Sequence, residues 1–332
     1  ERYFDITAEG NFEGSNILHR TIDTAEAARL FGRPETEVGK AIGELRTKLF
    51  AAREKRIKPG RDDKILAAWN ALMIGAFAEG YRALGDVRYL ETARRAAQFA
   101  LDKLWDGTRL HRSFNGGVAR FNAYLEDYAL MTSAMIDMYE ASIDSRWLDA
   151  AGMFAGVTLE HFLDRERGGF FFTSDDHETL ITRSKPSFDG STPSGNSAMV
   201  MALLRLHSYT GEARYLAEAQ RTIRLFTDSI EKQPFVFAHM LEGIDLYQRG
   251  AVEIVLGGGN EGGYREWLAK IGAQYVPNRA IYVPDLSSRA FLPEIARDRP
   301  AVSGMLTAYV CRERACSVPI TSLDGLMTEL RD

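Results

Sequence analysis

The chain has 332 residues, 45% hydrophobic and 26% charged, enough for one large globular domain and something smaller. Its 41 basic and 46 acidic residues leave a net charge of −5 with no basic patch, which argues against nucleic acid as a partner; no apolar run nears the roughly 20 residues that cross a bilayer, which argues against a membrane span. Two cysteines argue against a disulfide framework and fit a reducing, cytoplasmic setting.

Residues 1–60 read as an N-terminal linker and one amphipathic helix. The first 35 are polar and lack a sustained period, with Phe4, Ile6, Phe12 and Ile17 available to tack them to a surface. From Thr36 to Arg56, Val38, Ile42, Leu45 and Leu49 recur at helical spacing, and Pro59-Gly60 then breaks the chain. The opening at Glu1 has no evident start and reads as a fragment of a longer polypeptide.

Residues 61–249 carry a repeat. Asp86-Val87-Arg88-Tyr89-Leu90, Asp144-Ser145-Arg146-Trp147-Leu148 and Glu212-Ala213-Arg214-Tyr215-Leu216 share an acid-x-Arg-aromatic-Leu pattern, each behind a matching apolar run. Recurrence about every sixty residues means one supersecondary unit stacked on itself. In the first unit Ile65, Trp69, Leu72, Met73, Ala76 and Phe77 predict a helix that is apolar on more than one face. Gly85 stops it, Asp86 caps the next helix, and Tyr89, Leu90, Ala93 and Ala97 make that helix one-sided. Each unit is therefore an αα-hairpin with a buried first helix. The second spans about residues 125–163 and the third about 194–230, and a fourth inner helix runs near 235–247. Between units, 109–114 followed by Gly116-Gly117, and 168–173 leading towards 180–183, predict β-hairpins. Residues 250–332 change grammar to strand, helix, strand, strand, strand, helix: a small α/β appendage.

In stacked αα-hairpins the inner helices start at one end, and these starts are polar: Asp62-Asp63-Lys64, Glu126-Asp127-Tyr128, and the run from Asp189 to Asn196. Acids there are favoured by capping and by the helix dipole, so each has an ordinary structural explanation. Three equivalent positions around one mouth would also suit acid–base work on a glycosidic bond, for which Asp63 and Asp127 form the natural pair. Epimerisation needs a proton-transferring base, and His239 in the fourth inner helix is placed for it; an isolated histidine in an apolar helix is more often a satisfied core residue. Asn70 follows Asp63 down the same face, and Trp69 beside it is core packing or a sugar-stacking platform. Arg183, Lys185 and Asp189 would rim the opening or stand as solvated loop charges, Asn196 would join the mouth, and Trp69 or Tyr128 would add an apolar face. No histidine spacing suits a metal, the glycine run 257–263 lacks a phosphate-binding register, and no cofactor is expected. Cys311 and Cys316 flank a hairpin turn, which suits either a disulfide or two buried thiols.

Asp62-Asp63-Lys64-Ile65-Leu66, Trp69-Asn70, Leu125-Glu126-Asp127-Tyr128-Ala129, Pro193-Ser194-Gly195-Asn196-Ser197, and Ala308-Tyr309-Val310-Cys311 through Cys316 together resemble the thioredoxin-domain-containing proteins related to the animal spermatogenesis-associated thioredoxin-like protein. That resemblance runs along essentially the whole chain. It implies a six-hairpin (α/α) toroid similar to N-acylglucosamine 2-epimerases and six-hairpin glycosidases, without the family's thioredoxin-like domain and its CxxC. It implies no defined reaction, and Asn70-Ala71 departs from the family's Asn-Gly. A complete ring needs about twelve helices against roughly eight found, so an apolar flank is expected, covered by the missing N-terminal part of the polypeptide or by another copy of the chain. The reading that follows is a mainly α toroid, incomplete in this chain, that binds or converts a sugar-like small molecule; the alternative is a non-catalytic scaffold for a redox domain.

Overall fold

Asp23 opens the first helix by accepting the Glu26 N–H at 2.7 Å, and Gly32 closes it. This helix, α1 (Thr24–Phe31), leads into α2 (Glu35–Glu54), and Ala27, Ala28 and Val38 form a small core with Tyr3, Ile22 and Ile42 beside it. The computed structural model describes residues 1–178, 181–284, 293–297, 299–313 and 315–331. Residues 1–62 form one compact unit and 63–332 another. Helix α1 lies in the stretch read as aperiodic: eight residues with two buried alanines give too short a pattern to register.

In the second unit each repeat folds as an αα-hairpin, and its signature builds the corner. Strand β1 (Ile65–Leu66) runs straight into α3 (Ala67–Leu84), and α4 (Val87–Phe99) follows Asp86, whose carboxylate caps it through the Arg88 N–H. Strands β2 (His111–Asn115) and β3 (Val118–Asn122) form an antiparallel hairpin that pairs with β1. Gly116 and Gly117 both have positive φ (59° and 85°), the geometry of a two-residue turn that matches strand twist. The next hairpins are α5 (Leu125–Ser142) with α6 (Arg146–His161), then α7 (Gly195–Thr210) with α8 (Ala213–Lys232), and α9 (Ala238–Arg249) closes the series. In all three corners the acid and arginine form an ion pair: Asp86–Arg88 at 2.5 Å, Asp144–Arg146 at 2.8 Å and Glu212–Arg214 at 2.7 Å. The aromatic turns inward; Trp147 and Tyr215 are buried, while Tyr89 is half-buried against Phe77. The repeated motif is thus a corner brace.

Helices α3, α5, α7 and α9 pack side by side as an inner row, with α4, α6 and α8 outside. Their burial follows position in the row. Helices α5 and α7 are buried nearly all round, whereas α3 leaves Trp69, Met73 and Leu84 exposed, with Val87 of α4 beyond the corner. The architecture is mainly α, inner and outer rows of αα-hairpins as in an (α/α) toroid, plus small sheets. No helix among the described residues is long and apolar enough to cross a membrane.

Strand β4 (Val252–Gly257) pairs in parallel with β5 (Arg279–Tyr282) across the crossover helix α10 (Glu261–Gly272). After the short α11 (Glu294–Arg297), strands β6 (Thr307–Arg312) and β7 (Ala315–Cys316) complete the order β5-β4-β6-β7, and α12 (Leu323–Glu329) follows. Cys311 and Cys316 face each other across β6 and β7 and are joined by a disulfide. This α/β part belongs to the same compact unit as the helices, with α10 against α3 and β5 against α7.

Among the described residues the second expected hairpin does not form. Residues 168–173 contribute one bridge, Leu163 to Phe170, and Ile181–Arg183 are irregular; Leu180 lies outside the described residues. The Asn196 side chain takes both main-chain groups of Phe170, accepting its N–H at 2.9 Å and donating to its carbonyl at 3.0 Å. A buried amide replaces the strand partner.

Candidate functional site

The starts of the four inner helices are tied to one another by side chains. Asp127, in the first turn of α5, accepts the Tyr124 N–H at 2.9 Å and, across to α3, the Ala68 N–H at 3.0 Å. These are two of the donors that a helix start leaves unpaired. Gly195 lets α7 approach α5; a Cβ there would lie 2.7 Å from Leu125 Cγ and 3.0 Å from the Glu126 nitrogen. Asp189 joins α7 to α9, accepting the Ser194 N–H at 2.8 Å and the His239 N–H at 2.9 Å.

One charged cluster stands on this end. Arg112 of β2 donates to Glu126 at 3.0 Å and to Asp127 at 3.2 Å, and its guanidinium lies 4.8 Å from the Tyr124 ring, which stacks on Phe172. The Glu126 and Arg112 side chains are 30% and 32% exposed, while Asp127 beneath them is 1% exposed. Burial is the dominant influence on Asp127 and pushes its carboxyl up to about 6, against the lowering effect of the Tyr124 N–H, Arg112 and the Ala68 N–H; the Glu126 charge adds to the rise. A carboxyl that still holds its proton near pH 6, next to a solvent-accessible ion pair, can donate or accept a proton near neutrality.

The other sequence-derived positions fall into distinct places. Asp62 ends the first unit and Asp63 begins the second; both are exposed in the segment before β1. Asn70 donates to the Leu66 carbonyl within its own first turn, and Trp69 is 63% exposed. Tyr128 is buried among Phe154 and Phe162, its hydroxyl accepting the Leu110 N–H at 2.8 Å, and burial raises the phenol to about 12. Asn196 is fully buried and also donates to the Pro186 carbonyl. Lys185 binds Asp164 at 2.6 Å, and Arg183 donates to the Thr173 and His161 carbonyls; both cations lie over Phe171. His239 stands in the first turn of α9, with Nδ1 2.8 Å from Glu242. The structure therefore brings Glu126 and Asp127 together with Arg112, and Asp189 together with His239. Arg112 escaped the sequence reading: a lone arginine in a strand carries no signal until the strand is placed beside α5.

Among the described residues, His161, Asp175 and Asp176 bring potential metal-ligand atoms within 4.8 Å of one another. Arg109 already occupies that position, 2.7 Å from His161 Nε2 and 2.8 Å from Asp176, so a guanidinium takes the place a cation would need.

No family model matches the sequence. Among curated proteins the chain is similar to spermatogenesis-associated protein 20 of Homo sapiens, 31% identical over 331 residues that cover 94% of this chain and 42% of that protein. It thus spans less than half the length of that relative. Among solved structures, the GH76 α-mannanase BT2949 of Bacteroides thetaiotaomicron overlaps 71% of this chain and 68% of its own, with 16% identity and a TM-score of 0.46. The cellobiose 2-epimerase of Spirochaeta thermophila overlaps 49% of this chain and 43% of its own, with 20% identity and a TM-score of 0.42.

Proposed function

We propose that the helical array binds a carbohydrate-like ligand at the end where α3, α5, α7 and α9 start. The observation that carries this reading is the Arg112–Glu126 pair, open to solvent and resting on the buried Asp127, whose carboxyl burial pushes up to about 6. A guanidinium and a carboxylate side by side supply donors and acceptors for vicinal hydroxyls, and the exposed Trp69 ring supplies an apolar face for a sugar ring. In the catalytic form of the proposal Asp127 and Asp63 share the acid and base work, and His239 beside Asp189 is the base of an epimerase-like alternative. Asn70, Tyr128, Arg183, Lys185 and Asn196 then shape and brace the surrounding walls.

Calorimetric titration of the full chain with glucose, mannose, cellobiose and mannobiose tests this. Saturable binding of at least one sugar is expected, weakened about tenfold or more by Glu126→Gln and by Arg112→Gln. A second reading has its own observation: Asp127, Asp189 and Asn196 all bond main-chain groups of neighbouring elements, as caps and braces do. It makes the array a non-catalytic scaffold for a thioredoxin-like redox protein. Absence of binding by every sugar, together with loss of stability in Asp127→Asn, would decide for the scaffold.

A further inference from the structure

At the opposite end of the inner row lies a cavity of about 330 Å³, walled by the last turns of α3, α5 and α7 and by the segment 274–280 that enters β5. That volume is at the lower end of pockets that hold small ligands, about 300–1,000 Å³. Three guanidiniums line it. Arg82 pairs with Glu79 and Glu140; Arg205 reaches Asp137 at 2.7 Å and Glu140 at 2.8 Å; Arg279 reaches Glu79 at 3.3 Å. Tyr209 donates its hydroxyl to Glu140 at 2.9 Å.

The carboxylates of this cluster are well supplied, but the guanidiniums are not. Each arginine offers five N–H donors. Among the described residues, Nε of Arg82 and Nε of Arg279 are buried and have no acceptor, although the two side chains are only 11% and 9% exposed. Burial, and then the Arg279 charge, pull Arg82 below the usual arginine range; Asp137 and Glu79 counter this only in part. Helix C-termini favour cations, which accounts for arginines at these helix ends. It does not account for unpaired donors around a sugar-sized cavity.

We propose that this cavity is a second ligand site, for a small molecule of about sugar size that carries an oxyanion, held by the guanidinium forks of Arg82 and Arg279. Planar forks match carboxylate and phosphate oxygens, and because the two unpaired Nε–H groups are shielded from water, the arginine side chains must turn on binding to present them to the ligand. The Tyr275 ring, 93% exposed on the segment before β5, stands at the rim to cover the rest of the molecule. This site lies at the other end of the inner helices from the Arg112–Glu126 cluster and stands or falls apart from it.

The test uses the full chain, titrated with D-glucuronate, glucose 6-phosphate and glucose by calorimetry and thermal shift. One of the two anions should bind saturably and raise the melting temperature, and its identity separates carboxylate from phosphate recognition; any binding of glucose, which belongs to the starting end, should be unaffected by Arg279→Gln. Arg279→Gln should weaken that binding about tenfold or more, while Arg112→Gln leaves it unchanged. Should Arg279→Gln fail to fold, Arg279→Lys keeps the charge without the fork and should still weaken binding several-fold. Failure of both anions to bind, an equal loss of glucose binding in Arg279→Gln, or unchanged anion affinity in the folded Arg279 variants would overturn the proposal.

Discussion

The two ends of the inner helices use acids differently. Where α5 and α9 begin, Asp127 and Asp189 accept main-chain N–H groups, three of them from a neighbouring element, so each acid substitutes for a missing turn of helix. Where α3 and α5 finish, Glu79, Asp137 and Glu140 accept nothing from the main chain among the bonds described and pair instead with Arg82, Arg205 and Arg279. The backbone explains this asymmetry. A helix start exposes donors and attracts carboxylates, whereas a helix end exposes acceptors and attracts cations, which then require counter-charges. Acids at the starting end therefore fasten helices to one another directly, and acids at the finishing end do so through arginine. The second arrangement places more charge inside the protein and should be the more fragile.

Removing the shared acceptor of the finishing end tests that fragility most severely. Glu140 is the common partner of Arg82, Arg205 and Tyr209. Glu140→Leu leaves two guanidiniums in a poorly hydrated site with one counter-charge fewer, and should lower unfolding free energy by about 3–5 kcal/mol in chemical denaturation. A loss no larger than that of a surface substitution would remove the basis of the comparison.

The starting end should reveal itself through pH. The Asp127 carboxyl titrates near 6 in the folded protein and near 3.9 when unfolded, so the folded state binds the proton more tightly. Stability from this group is therefore fully present below about pH 4 and is lost as pH rises through about 6. The span corresponds to about 3 kcal/mol. Asp127→Asn cannot titrate, and its stability should change less between pH 4 and 7 than that of the wild type. Identical pH profiles for the two proteins would show that the carboxyl is not held in this state.

How much of this was legible beforehand depended on whether the determining contact is local. The αα-hairpins could be read because acid, arginine and aromatic lie within four residues and repeat with the apolar runs. The Phe170-Phe171-Phe172 run looked like a strand because nothing nearby shows that Asn196, 26 residues away, satisfies Phe170 from the side. His239 sits as expected in a fourth inner helix, but its ring partner is Glu242 on the same turn rather than a residue across the row. The finishing-end network was missed outright. Arg82 meets Glu140 58 residues away and Arg279 meets Glu79 200 away. Its one local trace was a charge inside an apolar run, as in Leu203-Leu204-Arg205-Leu206. The starting-end acids were visible as residue types, but whether they cap a neighbour or face a ligand depends on the placement of α3 against α5.

A smaller effect is expected from the acid that joins α7 and α9. Asp189→Ala removes the acceptor of the Ser194 and His239 N–H groups and should cost about 1–2 kcal/mol, as the loss of a helix cap does. Amide exchange should quicken at His239 and Met240 but not in α5. Uniform quickening across all four inner helices would mean that the starting end responds as one unit instead of as separate pairwise ties.

The smallest effect separates pairing from burial. Asp86 and Arg88 form an ion pair at 2.5 Å, closer than Arg205 stands to Asp137 or Glu140 in the buried network, at the corner just beyond the end of α3, yet the Arg88 side chain is 84% exposed. Water and salt screen such a pair, and its two flexible partners lose entropy when they are held together. The Asp86 cap accepts the Arg88 main-chain N–H at 3.0 Å, which any side chain at position 88 preserves. Arg88→Ala should therefore leave the thermal unfolding midpoint unchanged, whereas Asp86→Ala, which removes the cap, should lower it measurably. Arg88 follows Arg82 by six residues, on the next helix across the corner, and both pair with acids. If Arg88→Ala lowered the midpoint as far as Glu140→Leu does, distance to the nearest acid would govern these ends, and the contrast in burial on which the comparison rests would have no energetic meaning.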